Sequence, residues 1–220
     1  MLRTWPLVGA TTLLALLAIA CGGNGDGTPS AQDEAQPTEQ TPAASPSLEP
    51  TPMTYAERPE LTIDPEKKYT AIIETEKGTF RIQLRPDLAI QTVNSFVFLA
   101  REGYYDGVTF HRVLPGFMAQ GGDPTGTGSG GPGYSLPAEF SDVPYVRGTV
   151  GMARTDDPDS GGSQFFITFG EQTNLNGQYT VFGEITEGME VVESLAPRDP
   201  STDPSAPPGD AIISIEIVEE

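Results

Sequence analysis

From about Arg58 to the C-terminus, short β-rich runs alternate with turns rich in glycine, and this pattern restricts the fold more than any other feature. Two of these runs, 69–75 and 78–84, are close enough to form a hairpin. Only two segments, 90–103 and 188–196, have helical character. Many short strands with two helices predict a mainly β fold, a closed antiparallel barrel rather than a parallel α/β sheet. The other expected strands cover 108–113, 116–121, 148–153, 164–169, 179–185 and 211–220.

The first 21 residues, MLRTWPLVGATTLLALLAIAC, predict an exported protein. Arg3 precedes an apolar stretch that is shorter than a membrane-spanning helix requires. Ala18-Ile19-Ala20 stands directly before Cys21, the only cysteine, and this resembles the lipobox of bacterial lipoproteins. The resemblance implies that residues 1–20 are a signal peptide and that the Cys21 thiol carries a diacylglycerol. An ordinary secretory signal that happens to end in cysteine is the alternative.

Residues 21–57 are rich in Pro, Thr, Ser, Gln and Glu and contain almost no large apolar side chains. Such a segment cannot bury enough surface to offset the entropy of ordering, so we expect an acidic, disordered linker. Its prolines favour extended conformations, with a reach of roughly 100 Å at about 3.1 Å per residue. The sequence thus predicts a domain at 58–220 on a membrane tether, in an extracytoplasmic cell-envelope location.

The composition argues against several classes of function. The net charge is −19, from 12 Lys+Arg and 31 Asp+Glu, whereas nucleic-acid binding needs a basic face. A zinc site needs several His or Cys ligands, and His111 is the only histidine. Ser163 is not in a G-x-S-x-G elbow, so an acyl-transfer triad is not indicated. We expect no metal, cofactor or nucleic-acid partner.

Two loops have compositions that could be mistaken for ligand sites. DDPDSGG at 156–162 places three carboxylates together but lacks the spaced ligands and distal glutamate of a calcium loop. GTGSGG at 126–131 is interrupted by Pro132 and has no Gly-Lys-Ser ending, so it does not indicate a phosphate site. The remaining candidate is a guanidinium, Arg112, near aromatic and thioether side chains without a nucleophile or base. That combination points to binding, or to a reaction without proton transfer.

Four motifs resemble, in order and spacing, those of cyclophilin-type peptidyl-prolyl isomerases. They are FHRVLPGFMAQGGD, GTGSGGPGY, GMARTDDPDSGGSQFFI and NLNGQYTVFGEI, and the resemblance covers about Tyr69 to Glu220. It implies a closed eight-stranded antiparallel barrel capped by two helices. It also implies a peptidyl-prolyl cis-trans isomerase, with proline-containing unfolded or extended polypeptides as partners, no cofactor and a monomeric state.

The resemblance assigns roles to individual residues. Arg112 corresponds to the catalytic residue, and Gln120 to the side chain that holds a substrate carbonyl. The backbone of Ala153, Arg154 and Thr155 corresponds to the segment that pairs with an extended peptide. The walls of the proline pocket are implied to be Phe117, Met118, Phe166, Leu175 and Tyr179. His111 is expected to point to the opposite face from Arg112, because neighbouring side chains of a strand alternate.

The chain departs from the pattern of many eukaryotic members at the pocket rim. It has Asn174 where they have tryptophan and Tyr179 where they have histidine, and its loop at 154–158 is one residue longer. The loss of the tryptophan predicts weak inhibition by cyclosporin. Two other functions are compatible with the sequence: a non-catalytic proline-peptide-binding or chaperone module on the same fold, and a tethered spacer, which would leave the pocket unexplained.

Overall fold

The computed structural model describes residues 53–220 of the 220-residue chain. The expected signal peptide at 1–20, Cys21 and the expected linker up to residue 52 lie outside the described residues. The first two strands, Tyr69–Thr75 and Gly78–Leu84, have the predicted bounds. The elements are β1 Tyr69–Thr75, β2 Gly78–Leu84, α1 Ile90–Arg101, β3 Arg112–Leu114, β4 Met118–Gly121, β5 Thr149–Met152, β6 Phe165–Thr168, a 3-10 turn Thr173–Leu175, β7 Val181–Glu187, α2 Met189–Glu193 and β8 Ile212–Glu219.

The eight strands form one curled antiparallel sheet in the order β3-β4-β6-β5-β7-β2-β1-β8. The prediction of a closed barrel is wrong, because β3 and β8 do not pair with each other along their length. The two ends of the sheet meet only beside these strands, at a single bridge between Thr109 and Ala211. Arg198, from the loop before β8, pairs with Val113 of β3 through backbone hydrogen bonds of 2.7 and 2.9 Å. This loop occupies the edge of β3 that β8 would need for closure.

The concave face of the sheet carries the main core, and α1 packs into it. Val113, Ala119, Ile167 and Val150 stand side by side on four neighbouring strands and are all buried. The ring of Phe96 in α1 meets Phe165 edge to face, with centroids 5.6 Å apart. Helix α1 ends at Arg101, and a positive-φ glycine, Gly103 (φ 72°), lies just beyond its C-cap residue Glu102.

Residues 53–63, which we call the N-terminal arm, lie against the domain ahead of β1. The Tyr55 ring packs edge-on against Phe98 of α1 at 5.1 Å, and its backbone N–H donates to the Pro132 carbonyl at 2.8 Å. The Asn94 side chain accepts from the Thr62 N–H at 2.9 Å and donates to the Glu60 carbonyl at 2.9 Å. The arm therefore includes residues 53–57, which the composition assigns to the linker.

Within residues 53–220, none of the helices has the length and apolar character needed to cross a membrane.

Candidate active site

The register of the sheet places the predicted site residues in one row. Arg112 of β3 is paired with Gln120 of β4, Gln120 with Phe166 of β6, and Phe166 with Gly151 of β5. Directly paired residues of adjacent strands have their side chains on the same face. Arg112, Gln120 and Phe166 therefore project together from the convex face, opposite to the main core.

A second, smaller apolar cluster lies on this convex face. Met118, Tyr145, Phe166, Leu175 and Val181 are its buried members, and Phe117 and Tyr179 pack against it from the rim. Three of its buried members, Met118, Phe166 and Leu175, form the floor of a cavity of about 180 Å³. A cavity of about 150 Å³ is enough to hold a benzene molecule, so this one suits a single small ring such as that of proline. The cavity is lined by Arg112, Phe117, Met118, Gln120, Ala153, Arg154, Phe166, Leu175 and Tyr179.

Nine of the ten residues that the resemblance assigned to catalysis or substrate binding thus line one cavity. The exception is Thr155, which lines an adjoining groove of about 700 Å³ instead. Gln120, Ala153 and Arg154 border both the cavity and the groove. The polar side chains thus stand at the rim, while the floor is apolar.

A close approach between strands sets the position of the Phe166 ring. The Phe166 ring is stacked on the ring of Tyr145, with centroids 5.5 Å apart, and it meets the ring of Tyr179 edge-on, also with centroids 5.5 Å apart. A Cβ atom at position 151 would come within 2.6 Å of Phe166 Cζ and would also clash with the Tyr145 hydroxyl, so glycine is required at Gly151. The sequence reasoning missed Gly151 and Tyr145, because the contact depends on a pairing register that one strand alone does not show.

A second glutamine fixes the orientation of Gln120. The Gln120 Nε2 donates to Gln164 Oε1 at 2.9 Å, and Gln164 Nε2 donates to the carbonyls of Gly128 and Gly130 at 3.0 and 2.9 Å. Gln164 thus connects the cavity rim to the glycine-rich loop. Its position next to the strand that carries Phe166 was the only sequence signal for this role.

The guanidinium of Arg112 stands between the cavity and the loop before β8. Its Nε lies 3.9 Å from the Asp199 carboxylate, and its side chain is 36% exposed. Hydrogen bonds from the Ser201 hydroxyl and N–H, and to a lesser extent the charge of Arg112, keep the pKa of Asp199 below its usual value. Asp199 is therefore an anion that faces the Nε side of Arg112. The sequence did not predict this partner, because Asp199 lies 87 residues after Arg112 and only the folded chain brings the two together.

His111 does not line the cavity, as the alternation along the strand leads one to expect. It is 2% exposed, and its Nδ1 has no hydrogen-bond partner within the described residues. Burial is the main cause that lowers the pKa of His111, and the charges of Arg198 and Arg112 act in the same direction against the opposing effect of Asp123. The imidazole is therefore neutral at pH 7 and lies outside the cavity lining, so it is not placed to act as a base.

The segment after β5 offers one free pair of backbone groups at the rim. The Ala153 N–H already donates to the Gln164 carbonyl at 2.9 Å, and the Thr155 N–H donates to Ser160 Oγ at 2.9 Å. The N–H and carbonyl of Arg154 have no hydrogen-bond partner in the part of the chain that the structure describes. These two groups are available to an extended peptide. The Arg154 guanidinium is held over the ring of Tyr179, 4.7 Å from its centroid.

Comparisons with known proteins identify the relatives of this chain. Residues 70–217 match the family model described as cyclophilin type peptidyl-prolyl cis-trans isomerase/CLD. A peptidyl-prolyl cis-trans isomerase of Synechococcus elongatus is 50% identical over 150 residues, which cover 67% of this chain and 95% of the relative. Peptidyl-prolyl cis-trans isomerase B of Bacillus subtilis is 49% identical over 119 residues, which cover 53% of this chain and 82% of the relative.

Solved structures show the same fold. A crystal structure of a Cryptosporidium parvum cyclophilin type peptidyl-prolyl cis-trans isomerase has a TM-score of 0.63 and 34% identity, covering 70% of this chain and 99% of that one. A second structure of that protein, determined in the presence of the dipeptide Ala-Pro, has a TM-score of 0.62 and 34% identity, with coverage of 69% and 99%.

The chain belongs to the cyclophilin-type peptidyl-prolyl cis-trans isomerase family. Its activity is accordingly the isomerisation of the peptide bond that precedes proline, as the names of relatives at about half identity indicate. These relatives favour the enzyme over the non-catalytic binding module, and no comparison favours the module.

Proposed function

We propose that Arg112 catalyses this isomerisation, that proline occupies the cavity of about 180 Å³, and that the substrates are exported polypeptides whose folding waits for an X-Pro bond. The single observation that best supports the proposal is the cross-strand row. It places the Arg112 guanidinium, the Gln120 amide and the Phe166 ring around one cavity.

The chemistry requires a donor rather than a base. Rotation about the X-Pro bond passes through a state in which amide resonance is lost, with a barrier of about 20 kcal/mol. In the twisted state the prolyl nitrogen regains its lone pair and accepts a hydrogen bond more strongly. A fixed donor that interacts better with this state than with the planar one lowers the barrier. Arg112 suits this task, because a guanidinium keeps its charge and presents its N–H groups in a rigid fork.

The neighbours of Arg112 would keep both the donor and the substrate in place. Asp199 attracts the Nε side of the guanidinium, which leaves the terminal N–H groups for the cavity. Gln120, held by Gln164, would donate to a carbonyl of the substrate. The free backbone groups of Arg154 would pair with the extended peptide. No proton moves to or from the substrate, which agrees with a His111 that is neutral, buried and outside the cavity lining.

A refolding assay tests this function. The substrate is a secreted protein whose slow refolding phase is limited by a native cis-proline, a step that takes tens of seconds when uncatalysed. We expect catalytic amounts of the full-length protein to accelerate that phase, and Arg112→Ala to accelerate it far less. A slow phase that responds equally to both proteins would contradict the role of Arg112.

We also propose that the enzyme is a monomer held at a cell-envelope membrane by a lipid on Cys21. The lipobox-like sequence before the only cysteine and the Pro/Thr/Ser-rich linker support this location. Labelling with a radioactive fatty acid in a bacterial host should mark the wild type and not Cys21→Ser, and only the wild type should sediment with membranes. An unlabelled wild-type protein in the soluble exported fraction would contradict the anchor.

A further inference from the structure

The Arg154 side chain connects two segments at the rim of the cavity of about 180 Å³, which we call the proline cavity. One is its own segment after β5, and the other is the turn before β7 that carries Tyr179. The Arg154 Nε donates to the Gln178 carbonyl at 2.9 Å. Its Nη1 donates to the Thr155 and Asp156 carbonyls at 2.8 and 3.3 Å. The guanidinium carbon lies 4.7 Å from the centroid of the Tyr179 ring. The bonds to its own segment direct the guanidinium, and the other two contacts hold the turn.

Few other contacts fix the Tyr179 ring. Within residues 53–220, the backbone N–H and carbonyl of Tyr179 have no hydrogen-bond partner. The ring is half-buried and packs against the smaller apolar cluster, edge-on to Phe166 with centroids 5.5 Å apart. The turn that leads to it contains Gly177 in a positive-φ conformation (64°), and a Cβ there would meet nothing within 4 Å. The position of the ring thus depends on two contacts, the apolar cluster and the Arg154 guanidinium.

The position of the Tyr179 ring affects the size of the proline cavity, because Tyr179 and Arg154 both line it. A wall held at a fixed place can reject a ring that is one methylene larger by about 10-fold or more, whereas a wall that yields cannot. A cation–π contact at an exposed rim and a hydrogen bond from a charged donor are each modest. Together they correspond to about 3- to 10-fold in the equilibrium between the held and the displaced positions of the ring.

We propose that Arg154 is a positioning residue that sets the ring size accepted by the proline cavity. Its guanidinium holds the Tyr179 ring in place, and this ring confines the cavity to the five-membered ring of proline. The inference rests on the proposed function, because it needs the substrate ring in the cavity. Arg154 acts here through its side chain alone, so its free backbone groups remain available to the peptide. Loss of the side chain should raise KM more than it lowers kcat, since Arg112 and Gln120 stay paired in the sheet.

The test compares two tetrapeptides as substrates of the purified full-length protein. One contains an Ala-Pro bond, and in the other proline is replaced by pipecolic acid, the homologue with one more methylene in its ring. The measured quantity is the ratio of kcat/KM for the proline peptide to that for the pipecolic peptide. The intrinsic difference between the two bonds is the same for every variant and cancels. We expect Arg154→Ala to lower this ratio about 3- to 10-fold. Arg154→Lys keeps a cation but not the guanidinium fork, so its ratio should lie between those of the wild type and Arg154→Ala.

A Tyr179→Leu background shows whether Arg154 acts through the ring. In this background Arg154→Ala should leave the ratio unchanged, and an equal fall in both backgrounds would overturn the proposal. Arg147→Ala is the matched control and should keep the wild-type ratio, because Arg147 pairs with Glu193 at 2.8 Å and lines neither the cavity nor the adjoining groove.

A wild-type ratio in an Arg154→Ala protein that is folded by circular dichroism would also overturn the proposal. The affinities of the two peptides are measured in parallel by fluorescence anisotropy. A wild type that isomerises neither peptide would contradict the proposed function, while the ratio of the affinities would still decide whether Arg154 narrows the cavity.

Discussion

Replacing Gly151 by alanine should displace the wall of the proline cavity without touching Arg112. The added methyl would lie 2.6 Å from Phe166 Cζ, whereas carbon atoms in contact are about 3.5–4.0 Å apart, so one of the two must move by about 1 Å. Tyr145 is stacked on one face of the Phe166 ring, and β5 lies beneath it. We therefore expect the ring to move towards the cavity, against the edge-on ring of Tyr179.

Two measurements follow from this displacement. Overpacking of this kind costs about 1–3 kcal/mol, so the free energy of unfolding in urea should fall by that amount. A misplacement of about 1 Å at a reacting centre can cost about 10²-fold in rate, and we expect kcat/KM on a proline tetrapeptide to fall by about 10- to 100-fold. The double variant Gly151→Ala/Tyr145→Phe should recover part of both losses, because it removes the clashing hydroxyl.

Gly170→Ala is the matched control for this experiment. A Cβ at Gly170 would meet nothing within 4 Å, and its backbone is not in a positive-φ conformation. It should therefore change neither stability nor kcat/KM by a measurable amount. If Gly151→Ala remained folded with the kcat/KM of the wild type, the reasoning about the position of Phe166 would be refuted.

Three further results are expected. Gln164→Ala removes the hydrogen bond that orients the Gln120 amide and should lower kcat/KM by about 2- to 10-fold, the value of one or two hydrogen bonds. An unchanged kcat/KM would show that Gln164 does not orient Gln120 for catalysis. Because burial lowers the pKa of His111 in the folded chain, the unfolded chain takes up the proton at a higher pH, and stability should fall as the pH drops below about 6.5. His111→Gln should keep its activity and lose less stability between pH 7.5 and 5.5 in denaturant titrations; a wild-type-like pH dependence would contradict this. Cyclosporin should inhibit weakly, since the exposed Asn174 replaces a rim tryptophan, and nanomolar inhibition would oppose this prediction.

The sequence predicted the sheet well where local patterns decide the structure. The alternation in YTAIIET and GTFRIQL fixed the bounds of β1 and β2 to the residue. At 108–113 the strand signal was equally clear, yet regular pairing begins only at Arg112. Thr109, just before β3, instead forms an isolated bridge with Ala211, just before β8. This pairing depends on a partner about 100 residues away.

The features that the sequence did not predict also depend on contacts between distant segments of the chain. The barrel is open because Arg198 pairs with Val113, and no composition-based reading of the loop could place that residue against β3. The cavity residues were identified through the family resemblance, since Phe166 or Met118 alone would be taken as core. Tyr145, Gln164 and Asp199 act on the site through contacts between distant segments, which a single sequence does not display.

The central claim, that Arg112 lowers the barrier to rotation as a fixed donor, is tested most directly by the rate of isomerisation of a proline tetrapeptide. The measurement compares the full-length wild type with Arg112→Ala, and circular dichroism and urea unfolding establish that both are folded. Loss of a preorganised donor costs about 10²–10³-fold in rate, whereas replacing a partly exposed side chain of this kind changes stability by about 0.5 kcal/mol or less. We predict a fall in kcat/KM of at least about 10²-fold in a variant of nearly wild-type stability. A folded Arg112→Ala protein with the catalytic rate of the wild type would contradict the account.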